Sequence, residues 1–258
     1  MRLPKHKPAP LQSLVAYCDR LLDIEGFADW PGAVNGLQME NGGRVTRIAA
    51  AVDASLETAR RAVEAKADLL LVHHGLFWGE PHPWTGGRYE LMRLLCENKV
   101  AVYSAHLPLD THPKLGNNAL LCAALGFKRL TPFFTGKGRT LGFQTRADMA
   151  LTDLISRLAR AVGATPVVLA CGPQRCRRIG VVTGSAGAEL RQAVSEGVDT
   201  FITGEGPHWS FALAHELGLN VLYGGHYATE TFGVKALAAH LAARYGLPWA
   251  FIDAPSGL

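Results

Sequence analysis

The feature that most constrains this chain is a repeat inside it. Arg47-Ile-Ala-Ala-Ala-Val-Asp53 aligns with Arg178-Ile-Gly-Val-Val-Thr-Gly184 at a shift of 131 residues, and the register holds without a gap through Arg60/Arg191, Ala62/Ala193, Val63/Val194, Asp68/Asp199 and Gly75/Gly206. The patterns agree better than the identities. Each copy reads as a small or β-branched apolar run, an amphipathic helix (Leu56 to Lys66; Glu189 to Glu196) and a second apolar run (Leu69 to Val72; Thr200 to Thr203), the signature of a βαβ unit. Further on, the segment from Val102 to His106 matches Leu222 to His226 at a shift of 120, and the match reaches Asp110 and Glu230, so each half ends a strand with His-x-x-x-carboxylate. Two copies of one unit predict an α/β protein of two similar lobes with mostly parallel sheets, and equivalent strand ends that meet at a site between the lobes.

The remaining segments fit this frame. Leu11, Leu14, Val15, Cys18, Leu21 and Leu22 follow helical spacing, so residues 1–10 are expected to be a disordered tail without a signal-peptide pattern. The first lobe is expected over 11–128, onto which the C-terminal helix could pack back, and the second over 129–258. Helices are predicted at Arg88 to Glu97, Asn117 to Leu125, Leu151 to Ala161 and Tyr227 to Tyr245, with strands at Val100 to Tyr103, Thr140 to Thr145 and Trp249 to Ile252. No apolar run approaches the roughly 18 residues of a membrane span, which excludes a membrane partner of that kind. The five cysteines, none in a C-x-x-C pair, point to reduced thiols and a cytoplasmic setting. Net charge is only +4, but residues 111–188 hold eleven basic side chains against two acids. Such a segment can attract phosphate-bearing ligands or nucleic acid.

Ligands of open α/β sheets gather beyond the carboxyl ends of the strands. The polar residues directly after apolar runs are few: His73-His74-Gly75, then His106 and Asp110, then Gly224-Gly225-His226 with Glu230. Imidazole and carboxylate together suit zinc or iron, and a carboxylate can bridge two ions. His226 and Glu230, at i and i+4 where a helix begins, can point at one ion. Pro108 predicts a loop over His106 to Asp110 that leaves Asp110 able to reach in from the other lobe. His73 and His74 fall where the strand ends and Gly75 lets it turn, so both could serve a two-metal centre. His106 could orient a ligand or bind substrate, and His208 and Glu205, after the second copy's strand, could face the same site. Trp78 to Trp84 reads as a rigid aromatic loop that could wall the pocket or pack on another subunit.

These motifs, with Tyr103-Ser-Ala-His-Leu-Pro-Leu-Asp110, Gly116-Asn117-Asn118 and the early Asn35-Gly36-Leu37-Gln38 after Trp30, resemble the Nif-three-like family, whose bacterial members are often named GTP cyclohydrolase I type 2 homologs. The resemblance runs from about residue 11 to the C-terminus and implies a duplicated α/β fold, a dinuclear metal centre and a ring-shaped homohexamer. Carried across residue by residue, it implies the ligands His73, His74, Asp110, His226 and Glu230, with Glu230 as the bridge. No large domain stands between the two halves, as it does in some members.

The first functional expectation is a metal-dependent hydrolase in which two divalent ions (zinc, iron or manganese) activate water, Glu230 is indispensable and a basic rim holds an anionic, phosphorylated or nucleotide-like small molecule. The alternatives are a non-catalytic metal-binding ring that serves as scaffold or metal chaperone, and a ring that binds nucleic acid through the basic segment. A metal scaffold would not need Arg175, Arg177 and Arg178 near the metals.

Overall fold

The computed structural model describes residues 7–80 and 82–258. In chain order it contains β1 (Ala9–Pro10), α1 (Leu11–Leu22), β2 (Gly36–Met39), β3 (Arg44–Val45), β4 (Ile48–Asp53), α2 (Leu56–Glu64), β5 (Leu69–His74), α3 (Gly87–Glu97), β6 (Ala101–Ser104), α4 (Leu107–Asp110) and α5 (Asn117–Ala124). The second half continues with β7 (Thr131–Gly136), β8 (Arg139–Ala150), α6 (Leu151–Val162), β9 (Val167–Ala170), β10 (Arg175–Val181), α7 (Leu190–Ser195), β11 (Thr200–Thr203), α8 (Ser210–Leu217), β12 (Asn220–Tyr223), α9 (His226–Tyr245) and β13 (Trp249–Phe251). No helix among the described residues is long and apolar enough to cross a membrane.

Two compact units result, one of residues 1–109 and 233–254, the other of 110–232 and 255–258. The sequence reading divided the chain at 128/129. The division falls elsewhere because α5 packs its Leu121, Cys122 and Leu125 into the second unit's core, while β13 pairs with β4 and so joins the first unit's sheet. Helix α9 supplies 226–232 to one unit and 233–245 to the other.

In the first unit the sheet order is β13-β4-β5-β6-β2, with three parallel pairings and an antiparallel edge at β2. Ala49, Ala51, Leu70, Val72 and Val102 on one face pack against Ala59 and Ala62 of α2 and Leu91 and Leu95 of α3. On α1, Asp19 accepts a hydrogen bond of 2.8 Å from the Tyr103 hydroxyl. The second unit has the order β7-β8-β10-β11-β12-β9, and only its central strands β10, β11 and β12 run parallel. Its antiparallel flanks make this sheet mixed. Successive residues on these strands alternate between two cores: Val181, Ile202 and Leu222 face α5 and α6, whereas Val182, Phe201 and Val221 face α7 and α8. Burial on both faces is why the strands read as continuous apolar runs.

The repeat is structural. Ile48 pairs with Leu69 as Ile179 pairs with Thr200, each offset by the same 131 residues. The shared aspartate has one job in both copies: Asp68 accepts the backbone N–H groups of Thr46 and Arg47, and Asp199 those of Arg177 and Arg178, so each clamps the start of the strand beside it. The later match shifts by one residue. Val72 pairs with Ser104 and Thr203 with Tyr223, which aligns β6 and β12 at a shift of 119 and sets Leu107 and His226 as the first residues of their helices. His106 and His226 are therefore not equivalent positions, because a one-residue slip turns a side chain to another direction.

Three further expectations are corrected. Residues 107–110 form the helical turn α4 rather than a loop, since proline is tolerated in the first turn of a helix, where its missing N–H costs nothing. Ala9 and Pro10, assigned to the tail, pair with Val45 and Arg44, and Ala9 is buried. Residues 1–6 of that tail lie outside the described residues. The helix expected over Glu189 to Glu196 is one residue shorter at each end, α7 over Leu190–Ser195, and a separate 3-10 turn at Ala186–Ala188 precedes it.

Candidate metal centre

In the first unit, β5 carries His73 and His74 to its C-terminal end, and His106 follows the end of the adjacent β6. One ring nitrogen from each of the three lies within 4.8 Å of the others. Each Nδ1 is anchored to a group that accepts: His73 to the Ala105 carbonyl at 2.8 Å, His74 to Asp53 at 2.8 Å and His106 to Asp29 at 2.8 Å. An oxygen without a proton forces Nδ1 to be the donor, so in the neutral ring the lone pair sits on Nε2, the nitrogen that a metal takes. The His74 anchor follows from register, because Asp53 and His74 are paired residues on neighbouring strands and share a face. Asp29 lies in a loop. Burial opposes its charge, but hydrogen bonds from His106, Asn35 and the Trp30 N–H outweigh that and hold its carboxyl below the usual range. Asn35 also accepts the His106 N–H at 2.7 Å, which makes Asp29, Asn35 and His106 one network.

In the second unit, Asp110 ends α4 and both His226 and Glu230 stand in the first turns of α9. Asp110 and Glu230 are 6% and 2% exposed, and one oxygen of each lies within 4.8 Å of the other. Two buried carboxylates this close repel strongly unless a cation or proton stands with them. Asp110 is held by Asn117 at 2.8 Å and the Thr183 hydroxyl at 3.3 Å. Asn118 links this network to the backbone through Thr183 N–H at 2.7 Å and the Leu141 carbonyl at 2.8 Å. His226 lies between Glu205, 2.8 Å from Nδ1, and Glu230, 3.1 Å from Nε2. Burial works against charge on this ring, yet the two carboxylates raise its pKa from 6.5 to about 9. The two carboxylates that favour positive charge on this ring would equally favour a metal cation beside it.

Of the eight residues singled out from sequence, His73, His74 and His106 gather in the first unit, and Asp110, His226, Glu230 and Glu205 in the second. Glu205 reaches His226 from the position that His74 fills in the other copy. His208 is exposed on the turn before α8 and makes no part of this cluster, because Pro207 and the helix start at Ser210 carry it outward. Asp29, Asp53 and Thr183 escaped sequence reasoning as site residues, and Asn117 and Asn118 entered it only within the motif that carries the resemblance. Asp53 was legible, since it ends β4, whereas Asp29 follows no strand.

The three arginines of β10 do not rim this half-site. Arg175, Arg177 and Arg178 stand at the start of β10, whereas Thr183, which touches Asp110, follows its end, and five extended residues from Arg178 span about 16 Å. Arg175 is engaged by Asp148 at 2.7 Å, and the Arg178 guanidinium by the Glu196 carbonyl at 3.1 Å.

Known proteins share both fold and length with this chain. A Deinococcus radiodurans protein named GTP cyclohydrolase 1 type 2 homolog is 41% identical over 247 residues, covering 95% of this chain and 93% of its own. One of the same name from Halobacterium salinarum is 44% identical over 248 residues, covering 94% and 96%. The crystal structure of TTHA1606 from Thermus thermophilus superposes with a TM-score of 0.90 at 41% identity, over 97% of this chain and all of that one. The model of one family, Duf34/NIF3 (NGG1p interacting factor 3), matches residues 9–256, a span that takes in the repeat, both sheets and every anchored histidine, and it is to this family that the chain belongs.

Proposed function

We propose that His73, His74, Asp110, His226 and Glu230 together hold two divalent metal ions, with Glu230 as the shared ligand, and that the chain is a metal-dependent hydrolase of an anionic small molecule. The observation that carries this reading is the anchoring of every histidine in the set through Nδ1, which fixes ring orientation before any ion arrives. The buried carboxylate pair adds the negative charge that two cations would balance. Imidazole and carboxylate donors fit zinc, iron or manganese. Bound ions would supply Lewis acidity and a water deprotonated near neutral pH. The chain's own residues do the positioning: Asp53, Ala105 and Glu205 hold the ligand rings, and Asn117 and Thr183 hold Asp110. With the arginines of β10 directed elsewhere, the substrate's negative charge falls to the metals.

The test is hydrolysis of a phosphoester and nucleotide panel, GTP included, by protein loaded in turn with zinc, manganese or iron, beside Glu230→Gln. Loss of more than about 100-fold in the variant is expected, beyond the usual effect of removing a residue that only orients a ligand. Activity that survives Glu230→Gln, or a wild type that binds no metal, sinks the proposal. Two bound ions with no hydrolysis at all would move the reading to a metal-binding scaffold. A milder effect is expected for Asp53→Ala, which leaves His74 in place without its anchor. Metal affinity measured against a competing chelator should fall about 10- to 100-fold. An unchanged affinity would mean that backbone alone orients His74.

A further inference from the structure

Trp78 follows the histidine strand by four residues and plays no part in holding metal. Its indole centroid lies 4.8 Å from the His106 ring, nearly perpendicular to it, and 5.6 Å from the His74 ring, yet the residue remains 45% exposed. An open aromatic surface beside a polar cluster offers a face on which a flat ligand can stack. The loop that carries it is fixed. Gln38 accepts the Leu76 N–H at 2.6 Å. At Gly32, where φ is +80°, an added Cβ would stand 2.3 Å from the Gly79 carbonyl, so the backbones of the two loops touch. The Gly32 loop also carries Trp30, 49% exposed, whose N–H donates at 2.6 Å to the same Asp29 carboxylate that anchors His106. The indole is thus presented in one place, which lowers the entropy cost of stacking on it.

We propose that Trp78 is the stacking platform for a planar heteroaromatic ring. The proposal rests on the hydrolase reading and names its substrate class. Stacked rings have centroids about 4.5 to 7 Å apart, and the indole is 5.6 Å from His74, so the centroid of a ring on Trp78 lies no more than about 13 Å from that imidazole. Every base has a π-face, so the platform selects for a flat ring and leaves its identity to polar contacts.

The test uses the full-length, metal-loaded protein and two probes, guanosine 5′-monophosphate and ribose 5-phosphate, titrated by calorimetry into wild type, Trp78→Ala, Trp78→Phe and Trp84→Ala. The nucleotide is expected to bind at least about 10-fold tighter than the sugar phosphate in wild type and to lose about 10- to 100-fold in Trp78→Ala. Trp78→Phe should stay within about threefold and Trp84→Ala should not change, with ribose 5-phosphate indifferent to all three substitutions. Equal binding of the two probes, undiminished nucleotide binding in Trp78→Ala, or an equal loss in Trp84→Ala overturns the proposal. So does a change in sedimentation of Trp78→Ala, which would make the indole an interface residue. Metal per chain, counted in the same samples, separates this failure from that of the hydrolase reading.

Discussion

Alanine at position 184 is expected to empty the second unit's half-site without removing a ligand. Gly184 stands at φ +75°, and a Cβ there would lie 2.3 Å from the Glu230 Oε1. Glu230 is 2% exposed and cannot swing into solvent without breaking its contact with His226 at 3.1 Å. The substitution strains the backbone and displaces the carboxylate together. We expect metal retained after dialysis against a weak chelator to fall by more than about 100-fold, with a loss of about 1–3 kcal/mol in stability from the left-handed backbone. Gly138→Ala separates the two effects, because Gly138 has φ +74° with nothing within 4 Å of its added Cβ. That variant should show the strain and keep its metal. A Gly184→Ala protein that keeps wild-type metal would show that Glu230 is not a ligand in the position seen here.

The second large effect is expected at Asn118, which is 1% exposed. Its side chain accepts the Thr183 N–H at 2.7 Å and donates to the Leu141 carbonyl at 2.8 Å and the Asp110 carbonyl at 3.2 Å. Asn118→Ala strands these buried backbone groups, and each group left unsatisfied costs about 1–3 kcal/mol. A total of about 3–5 kcal/mol in urea unfolding follows for the second unit, and Asp110 loosens with it. Asn98→Ala is the control, since Asn98 is exposed and bonds only the Leu94 carbonyl one turn back, so its loss should stay within about 0.5 kcal/mol. Equal denaturation midpoints for the two variants would refute the account of Asn118.

The βαβ repeat was legible because its signals are local. The gapless shift of 131 residues survives as identical strand register, and the shared aspartate survives as an identical clamp, since both depend on residues close together in the chain. The strand-end histidines were legible for the same reason. The later match was read one residue out, because His-x-x-x-carboxylate is a pattern of spacing and carries no information about which residue pairs across the sheet. The arginines misled in a similar way: nearness in sequence to a strand of the site says nothing of which end of the strand they occupy. His208 misled because a turn, not a strand, sets its direction.

What the sequence determined by itself is the duplicated α/β architecture and the donors gathered at the strand ends, since apolar periodicity and the polar residues that follow it are properties of short segments. Only the tertiary structure decided which atoms those donors offer. The anchors Asp29 for His106, Asn118 for Thr183 and Glu205 for His226 stand 77, 65 and 21 residues from their partners. Hydrogen bonds over such separations form only once the strands have brought loops together, and those accepted by Asp29 and Glu205 commit the Nδ1 of His106 and His226 as donor and leave Nε2 for a metal.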